Sequence, residues 1–324
     1  MNRREFSHVA LVALVGVVTA DASAQINPYP SRTVKIIAPV APGGGVDLVA
    51  RTVAERLQKA LGQTFIVENM SGGGGVIASQ ATMRAAPDGY TLMLGYVATH
   101  GTNPAMRNIP YNAVKDFTAI AMVAGTPNVL VVGAGVAATN LKDFVTLGKK
   151  SQLSFGTSGQ GSLTHLLVEQ FKLAADFQAM HAPYRGITPA ITDVLGGQTQ
   201  FMMPGLAAAL QHIKSGKLRP LAVTGTRRNL ALPDVPTFEE LGYKGFTAVQ
   251  WYGIVGPAKM PPAVVARLND EINKAIATPE LRERLSAEAL EPMPMTSAEF
   301  AAFIAAEVGR WTKLVRERNI EMNT

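Results

Sequence analysis

The chain of 324 residues contains no cysteine, which excludes disulfides, a thiol nucleophile and thiolate metal sites. Its fold must be held by packing alone. Aromatic residues are scarce at 6% and charged residues make up only 17%, against 47% hydrophobic, so a disordered chain is excluded and an ample core is expected. The uncharged apolar run Val9 to Val18 falls far short of the roughly 20 residues that a membrane-spanning helix needs. No membrane span is expected from it.

What is present begins with an export signal. Arg3 and Arg4 form a basic start, Val9 to Val18 an apolar stretch, and Ala22-Ser-Ala24 a small-x-small cleavage site, so residues 1–24 read as a signal peptide. The mature chain then starts near Gln25. Arg3-Arg-Glu-Phe6 resembles a twin-arginine signal, although Ser7 and His8 replace the apolar residue and lysine that often follow, and the secretory and twin-arginine routes both stay open. Arg3, Arg4, Glu5 and Asp21 cancel, so the net charge of +6 belongs to the mature protein and suits an anionic ligand. The basic residues are spread along the chain with no aromatic interleaving, and no nucleic-acid partner is expected.

The most informative segment is Val34-Lys-Ile-Ile-Ala-Pro-Val-Ala-Pro-Gly-Gly-Gly-Val-Asp-Leu-Val-Ala-Arg51, a buried-type strand running through glycines into an amphipathic helix. Glycines there let a ligand approach the backbone, and the unpaired N–H groups of the helix start point at it with the positive end of the macrodipole behind them. A carboxylate or phosphate fits such a cradle. The alternative is a plain turn in which Asp47 only caps the first turn.

Strand and helix patterns alternate from end to end, which predicts an α/β fold with mostly parallel sheets. The strand candidates are 34–40, 65–68, 91–95, 119–123, 129–132, 153–155, 179–184, 200–203, 218–224 and 249–255. The helix over 46–61 carries Val46, Val49, Ala50, Val53, Leu57, Ala60 and Leu61 on one stripe and stops at Gly62. A second runs from Ser162 with Leu163, Leu166, Leu167, Phe171 and Ala174 inward, and a third starts at Thr188-Pro189 and stops at Gly196-Gly197. The last opens on the capping box Thr296-Ser-Ala-Glu299, with Phe300, Ile304, Val308, Trp311 and Val315 on its buried side. No linker or repeat appears, which favours two lobes joined by crossing strands near Asn128 to Gly135 and Val249 to Gly256. Residues 25–130 with 250–324 then form lobe one, and 131–249 lobe two.

Catalytic motifs are missing or incomplete. Gly73-x-Gly75-x-x-Ala78 follows a strand but lacks the acidic partner of a dinucleotide site, because Asp88 falls in a turn. Gly156-Thr-Ser-Gly-Gln160 misses the nucleophile elbow at Gln160. His165 and Glu169 stand one helical turn apart, but two ligands do not make a metal site. No catalytic residue, metal or cofactor is expected, and an exported hydrolase using Ser158 or Ser162 is the alternative from another class. Four polar, glycine-rich loops at strand ends instead converge in expectation on one cleft: 41–47, 96–103, 156–162 and 184–188. Two of them, at Gly43 to Asp47 and Gly159 to Ser162, precede helices and could clamp a carboxylate from both lobes.

At this point the residues resemble a family. Tyr29-Pro-Ser-Arg-Thr-Val-Lys-Ile-Ile37, Ala41-Pro-Gly-Gly-Gly-Val-Asp-Leu-Val-Ala-Arg51, Val67-Glu-Asn69, Ser71-Gly-Gly-Gly-Gly75, Pro87-Asp-Gly-Tyr-Thr91, Ser158-Gly-Gln-Gly-Ser162 with His165, Pro183-Tyr-Arg-Gly186, Gly216-Lys-Leu-Arg-Pro-Leu-Ala222 and Leu232-Pro-Asp-Val-Pro-Thr237 resemble the Bug family. These are substrate-binding proteins of tripartite tricarboxylate transporters, and the resemblance covers essentially the whole mature chain. It implies a periplasmic, type II-like two-lobed flytrap without catalysis, a small organic acid as ligand, the transporter's membrane subunits as partners, and a monomer. Carried over residue by residue, it assigns ligand contacts to Pro42, Gly43, Gly44, Gly45 and Asp47 in lobe one. In lobe two it assigns them to Thr157, Ser158, Gly161, Ser162, Tyr184 and Gly186. Thr99 and His165 join them as expected neighbours of the cleft. Many relatives have an acidic residue where this chain has Gln200, which disfavours an amino acid and favours a dicarboxylate or aromatic acid if Gln200 faces the ligand. Tyr96, His100, Phe155 and Trp251 are candidates for an aromatic lining, each also a plausible core residue. A sensor kinase remains the alternative partner.

Overall fold

The computed structural model describes residues 29–43, 45–317 and 320; the expected signal peptide and Gly44 of the glycine loop lie outside them. The first half of the chain runs β1 (Val34–Ala38), α1 (Gly45–Leu61), β2 (Phe65–Asn69), α2 (Val76–Met83) and β3 (Thr91–Tyr96). An irregular helical turn at Ala98–Thr102 leads into α3 (Asn103–Met106) and the long strand β4 (Phe117–Pro127). Next come β5 (Val129–Gly133), α4 (Leu141–Lys150), β6 (Leu153–Thr157), α5 (Leu163–Ala175) and β7 (Ala179–Pro183). They are followed by α6 (Ile187–Leu195), β8 (Phe201–Met202), α7 (Leu206–Lys214) and β9 (Leu218–Val223). The chain returns through β10 (Val249–Pro257) to α8 (Pro262–Ala277), α9 (Pro279–Ala287), β11 (Glu291–Pro292) and α10 (Ser297–Glu317).

These strands build two sheets, one of six strands in the order β11-β4-β10-β3-β1-β2 and one of five in the order β7-β6-β8-β5-β9. Both are mixed. The pairs of β1 with β2 and β3, and of β6 with β7 and β8, are parallel, as the alternation with helices demands. The pairs of β10 with β3 and β4, of β11 with β4, and of β5 with β8 and β9 are antiparallel. Antiparallel pairing thus enters with β4, β5 and β10, the strands that take the chain from the first sheet to the second and back. Thr224 fastens those crossings together: its hydroxyl accepts from the Asn128 amide at 2.8 Å and donates to the Ala248 carbonyl at 2.6 Å.

All ten expected strands form, and the helices follow the expected stripes with local shifts. In α1 the stripe Val46, Val49, Ala50, Val53 and Leu57 is buried, while Ala60 has turned out to solvent near the C-cap Gly62, whose φ is 68°. In α5 it is Ala175, four residues after Phe171, that is buried in place of Ala174. Helix α6 starts at Ile187, with Gly186 at φ 116° making the turn ahead of Thr188-Pro189. The capping box of α10 forms in both directions, with Glu299 accepting from the Thr296 amide at 2.8 Å and Thr296 from the Glu299 amide at 3.2 Å.

One apolar cluster joins the two halves, because Val97, Met106 and Trp251 belong to the same core as Leu163, Leu166 and Phe171. A second core lies between α1, α8, α9 and the outer face of the six-stranded sheet, and a third between α6, α7 and the five-stranded sheet. A narrow apolar cavity lined by Val49, Leu57, Ile272 and Leu285 sits within that second core, so it belongs to helix packing and not to a cleft between the sheets. Among the described residues no helix is long and apolar enough to cross a membrane.

Candidate functional site

The glycine loop after β1 takes its shape from Asp47. This side chain is only 5% exposed, and its Oδ2 accepts from the Gly43 amide and from Arg51 Nε, both at 3.0 Å. Its Oδ1 accepts from Asn69 Nδ2 at 2.8 Å, and Asn69 also donates to the Val40 carbonyl and accepts from Arg51. Burial raises the Asp47 pKa, but the hydrogen bonds from Arg51, Asn69 and Gly43 outweigh it and hold the carboxyl below its ordinary value. Asp47 therefore acts on the loop, with both oxygens engaged, and does not offer itself to a ligand. Pro42 and Gly43 are exposed at the loop's rim, and Gly43 adopts φ 96°, a conformation that favours glycine. Gly45 opens α1 so close to Tyr252 that an added Cβ would stand 3.1 Å from its hydroxyl oxygen. The start of this helix is thus bare of side chain and faces a buried phenol, whose pKa burial raises.

The second loop joins β6 to α5. Thr157 is fully buried, with its hydroxyl 2.7 Å from His181 Nε2 and accepting from the Gly159 amide at 3.2 Å. Ser158 shares a hydrogen bond with Thr164, which also accepts from the Ser158 amide. Ser162 is the N-cap of α5: its hydroxyl donates to the Gly159 carbonyl at 2.6 Å and accepts from the His165 amide. His165 Nδ1 in turn accepts from the Gly161 amide at 3.2 Å. The His165 ring stacks on His181 with centroids 4.0 Å apart, and burial, aided by Lys172, lowers the His165 pKa to about 4. Thr157, Ser158, Gly161, Ser162 and His165 are thus brought together as expected, but most of their polar atoms are spent on holding the loop.

Beside this loop, the Tyr184 amide donates to the Thr157 carbonyl at 3.1 Å. The phenol points the other way and donates to Asp193 Oδ2 at 2.6 Å, and burial together with Asp193 pushes its pKa up to about 12. Gly186 follows as the N-cap of α6 with no side-chain cap. Of the two helix starts beside these loops, Ser162 occupies that of α5, whereas that of α6 carries no side-chain cap.

Two expectations are corrected, those for Gln200 and Thr99, and three of the four aromatic candidates prove to be core. Gln200 accepts from the Ser154 amide at 2.8 Å and from its hydroxyl at 3.0 Å. The parallel register Phe155↔Phe201 puts it at the amino end of its strand, away from the carboxyl ends where the loops gather. No discrimination against amino acids can rest on it. Thr99 is fully buried, its hydroxyl shared between Tyr96 and His100 Nδ1, so it supports the wall and does not face the cleft. His100, fully buried against Phe117, is likewise interior. Phe155 and Trp251 are fully buried core; the Trp251 indole donates to Glu307. Of the aromatic candidates only Tyr96 is partly exposed, with burial pushing its pKa up to about 12.

The second loop meets the other half of the chain at Met106 and Arg107, which no motif marked. A Cβ on Gly161 would lie 3.0 Å from that of Met106, and Gly161 adopts φ 74°. Arg107 donates from Nη1 to the Gly73 carbonyl at 3.1 Å and from Nη2 to the Gln160 carbonyl at 3.4 Å. Gly161→Ala is expected to press against Met106 and weaken ligand capture by about 1 to 3 kcal/mol, the usual range for overpacking a close contact. Calorimetric titration beside urea unfolding checks this, and unchanged affinity in the folded variant would show that the contact does not bear on binding.

Chemically the arrangement can hold an anion. Two helix starts, Arg51 and Arg107 surround the loops, while the nearby carboxylate of Asp47 is neutralised. It lacks an activated nucleophile: Ser158 and Ser162 bond to Thr164 and Gly159, and the His165 lone pair is taken by Gly161. Among the described residues no group of three or more His, Asp or Glu is placed to hold a metal, and Glu169 pairs with Lys172 at 2.8 Å.

Comparison with known proteins agrees with this chemistry. The chain is 35% identical to Protein BugT of Bordetella pertussis (strain Tohama I) over 321 residues, covering 96% of this chain and 98% of that protein. It superposes on Rpa4515 of R. palustris, solved with adipate, with TM-score 0.86 at 29% identity, covering 91% of this chain and 100% of the other. For MatC of Rhodopseudomonas palustris, solved with bound malate, the TM-score is 0.79 at 30% identity, covering 89% and 100%. The two-sheet α/β architecture is that of periplasmic binding proteins, a family of binders and not of enzymes. Residues 49–320 match the model of the tripartite tricarboxylate transporter family receptor, TctC, and the chain belongs to that family.

Proposed function

We propose that this receptor captures a small dicarboxylate between its two glycine loops and delivers it to the membrane subunits of a tripartite tricarboxylate transporter. The observation that carries the proposal is a pair of glycine-led helix starts, one in each half of the chain: α1 opening on Gly45 beside Gly43, and α6 behind Gly186 with no side-chain cap. Relatives solved with adipate and malate support a ligand with two carboxylates. In this proposal Pro42, Gly43, Gly44, Gly45, Ser158 and Gly186 approach the ligand. Asp47, Thr157, Gly161, Ser162, His165 and Tyr184 hold their loops in shape.

The lobes divide where the sheets do, with the crossings at Asn128 and Ala248, so that residues up to 127 and from 249 belong to lobe one. Export through residues 1–24, cleavage near Ala24, a periplasmic location and a monomeric receptor complete the proposal. Hinge closure at the crossings presents a ligand-dependent face to the membrane subunits.

The test is a thermal-shift and calorimetric titration of refolded, ligand-free protein with malate, adipate and aspartate. A ligand at about 100 times its Kd stabilises the fold by about 2.7 kcal/mol, which is expected for malate or adipate. Absence of any shift or heat with either diacid would overturn the dicarboxylate assignment, and stronger binding of aspartate, itself a dicarboxylate, would show that the site also recognises an ammonium group.

A further inference from the structure

We infer that Arg107 is a positioning residue that holds the two lobes closed by tying the glycine run 72–75 of one to the loop before α5 of the other. This deepens the dicarboxylate-receptor proposal and rests on it for the place of the ligand. Arg107 follows the short helix α3 and lies in the half of the chain built on the six-stranded sheet. One arm of its guanidinium donates to Gly73 in that same half, and the other crosses to Gln160 in the loop that starts α5. The group lies flat on Gly74, where an added Cβ would come within 3.1 Å of Nη1, so the glycine run 72–75 makes room for it. The preceding residue packs too: Met106 is fully buried and abuts Gly161.

The chemistry suits a clasp. A guanidinium presents its N–H groups in a rigid fork that can satisfy two carbonyls at once, which an ammonium on a flexible stem does less well. The bond to Gly73, whose carbonyl also accepts from the Val76 amide, lies within one half, whereas the Nη2 bond to Gln160 can exist only when the lobes meet. Arg107 Nε is buried without a hydrogen-bond partner, so the group gives up hydration to sit here. Its positive charge also lies close enough to Tyr96 and Tyr111 to oppose the rise that burial gives their pKa values. Loss of the clasp therefore acts on the closed state selectively. Ligand must leave through the open state, so the effect falls on dissociation and not on encounter.

The absence of cysteine allows a direct test, since an engineered cysteine pair carries spin labels without background. Ile77→Cys on α2 and Leu173→Cys on α5 occupy exposed positions, one in each lobe. Pulsed dipolar spectroscopy then reads the distance between lobes in the labelled parent, Arg107→Met and Arg107→Lys, each with and without malate or adipate. Both variants are expected to shift toward longer distances without ligand. For whichever diacid binds, the dissociation rate should rise about 10- to 100-fold, with the association rate changed by no more than a few fold. Distance distributions and dissociation rates equal to the parent's would overturn the inference, even if the melting temperature fell, because that pattern marks a local structural role. Should Arg107→Met fail to fold, Arg107→Lys carries the same test. If neither diacid alters the parent, the dicarboxylate assignment fails separately, and the ligand-free distances still decide the role of Arg107.

Discussion

Asp47→Ala is expected to cost the receptor most of its ligand affinity, on the order of 100-fold or more. The carboxylate holds the Gly43 amide, Asn69 Nδ2 and Arg51 Nε together, and its removal leaves three donors seeking partners within one loop. Hydrogen bonds to a charged group contribute about 1.5 to 3 kcal/mol each, and even partial replacement by water leaves the cradle misshapen. A competing effect has the opposite sign, because removing a negative charge near an anion site should favour the ligand. At a separation of several ångströms near the surface that gain is about 1 to 4 kcal/mol before screening, and Arg51, released from Asp47, swings into water and loses part of it. The loop geometry should win. Asp47→Asn, which keeps the shape but turns an amide donor toward other donors, should fall between the two. Calorimetry with the diacid that binds the parent, at one ionic strength, decides the matter. Tighter binding by Asp47→Ala would show that charge, and not loop shape, governs the site.

The strands were legible because most are buried on both faces and read as apolar runs: Val129 to Val132 and Met122 to Ala124 are within 1% of full burial. β11 was not, since a strand of two residues ending in proline has no period to detect. The glycine loops could be read from composition, but what their polar atoms do could not. Ser162 looks the same in a sequence whether it donates to a ligand or to the Gly159 carbonyl. Gln200 failed for a reason of direction: a segment known only as a strand has two ends, and only the register with β6 shows that Gln200 lies at the amino end. Arg107 and Met106 escaped because their partners lie at Gln160 and Gly161, some 50 residues on, and a contact between lobes leaves no local pattern.

Acid is expected to destabilise the protein well above the range in which its carboxylates titrate, and its histidines are the cause. Burial lowers the pKa of His100 to about 3, that of His165 to about 4 with help from Lys172, and that of His181 to about 4 with help from His165 and Lys172 against Glu169. The unfolded chain takes up these protons near 6.5, the folded chain only near 4 or below. Between those values the unfolded state binds more protons, so stability falls as pH falls through that window, and below it these groups add no further loss. For His165, which is 6% exposed, the difference is worth roughly 3 kcal/mol, and the stacked His181 cannot add its full share because two protons on rings 4.0 Å apart repel. Asp47, whose pKa is lowered in the fold, has the opposite linkage: its contribution is present above its unfolded value of 3.8 and is lost only below it. The two windows are therefore separable. Ligand affinity should decline together with stability, because a protonated His165 Nδ1 can no longer accept from the Gly161 amide and the loop on lobe two must rearrange. Urea unfolding at pH 6.5, 5.5 and 4.5 should show a falling midpoint in the parent and a shallower fall in His165→Asn, whose side-chain oxygen can still accept from Gly161 at any of these pH values. A midpoint that stays level over this range would mean that the histidines titrate alike in both states and that neither the stacked pair nor His100 is desolvated in solution.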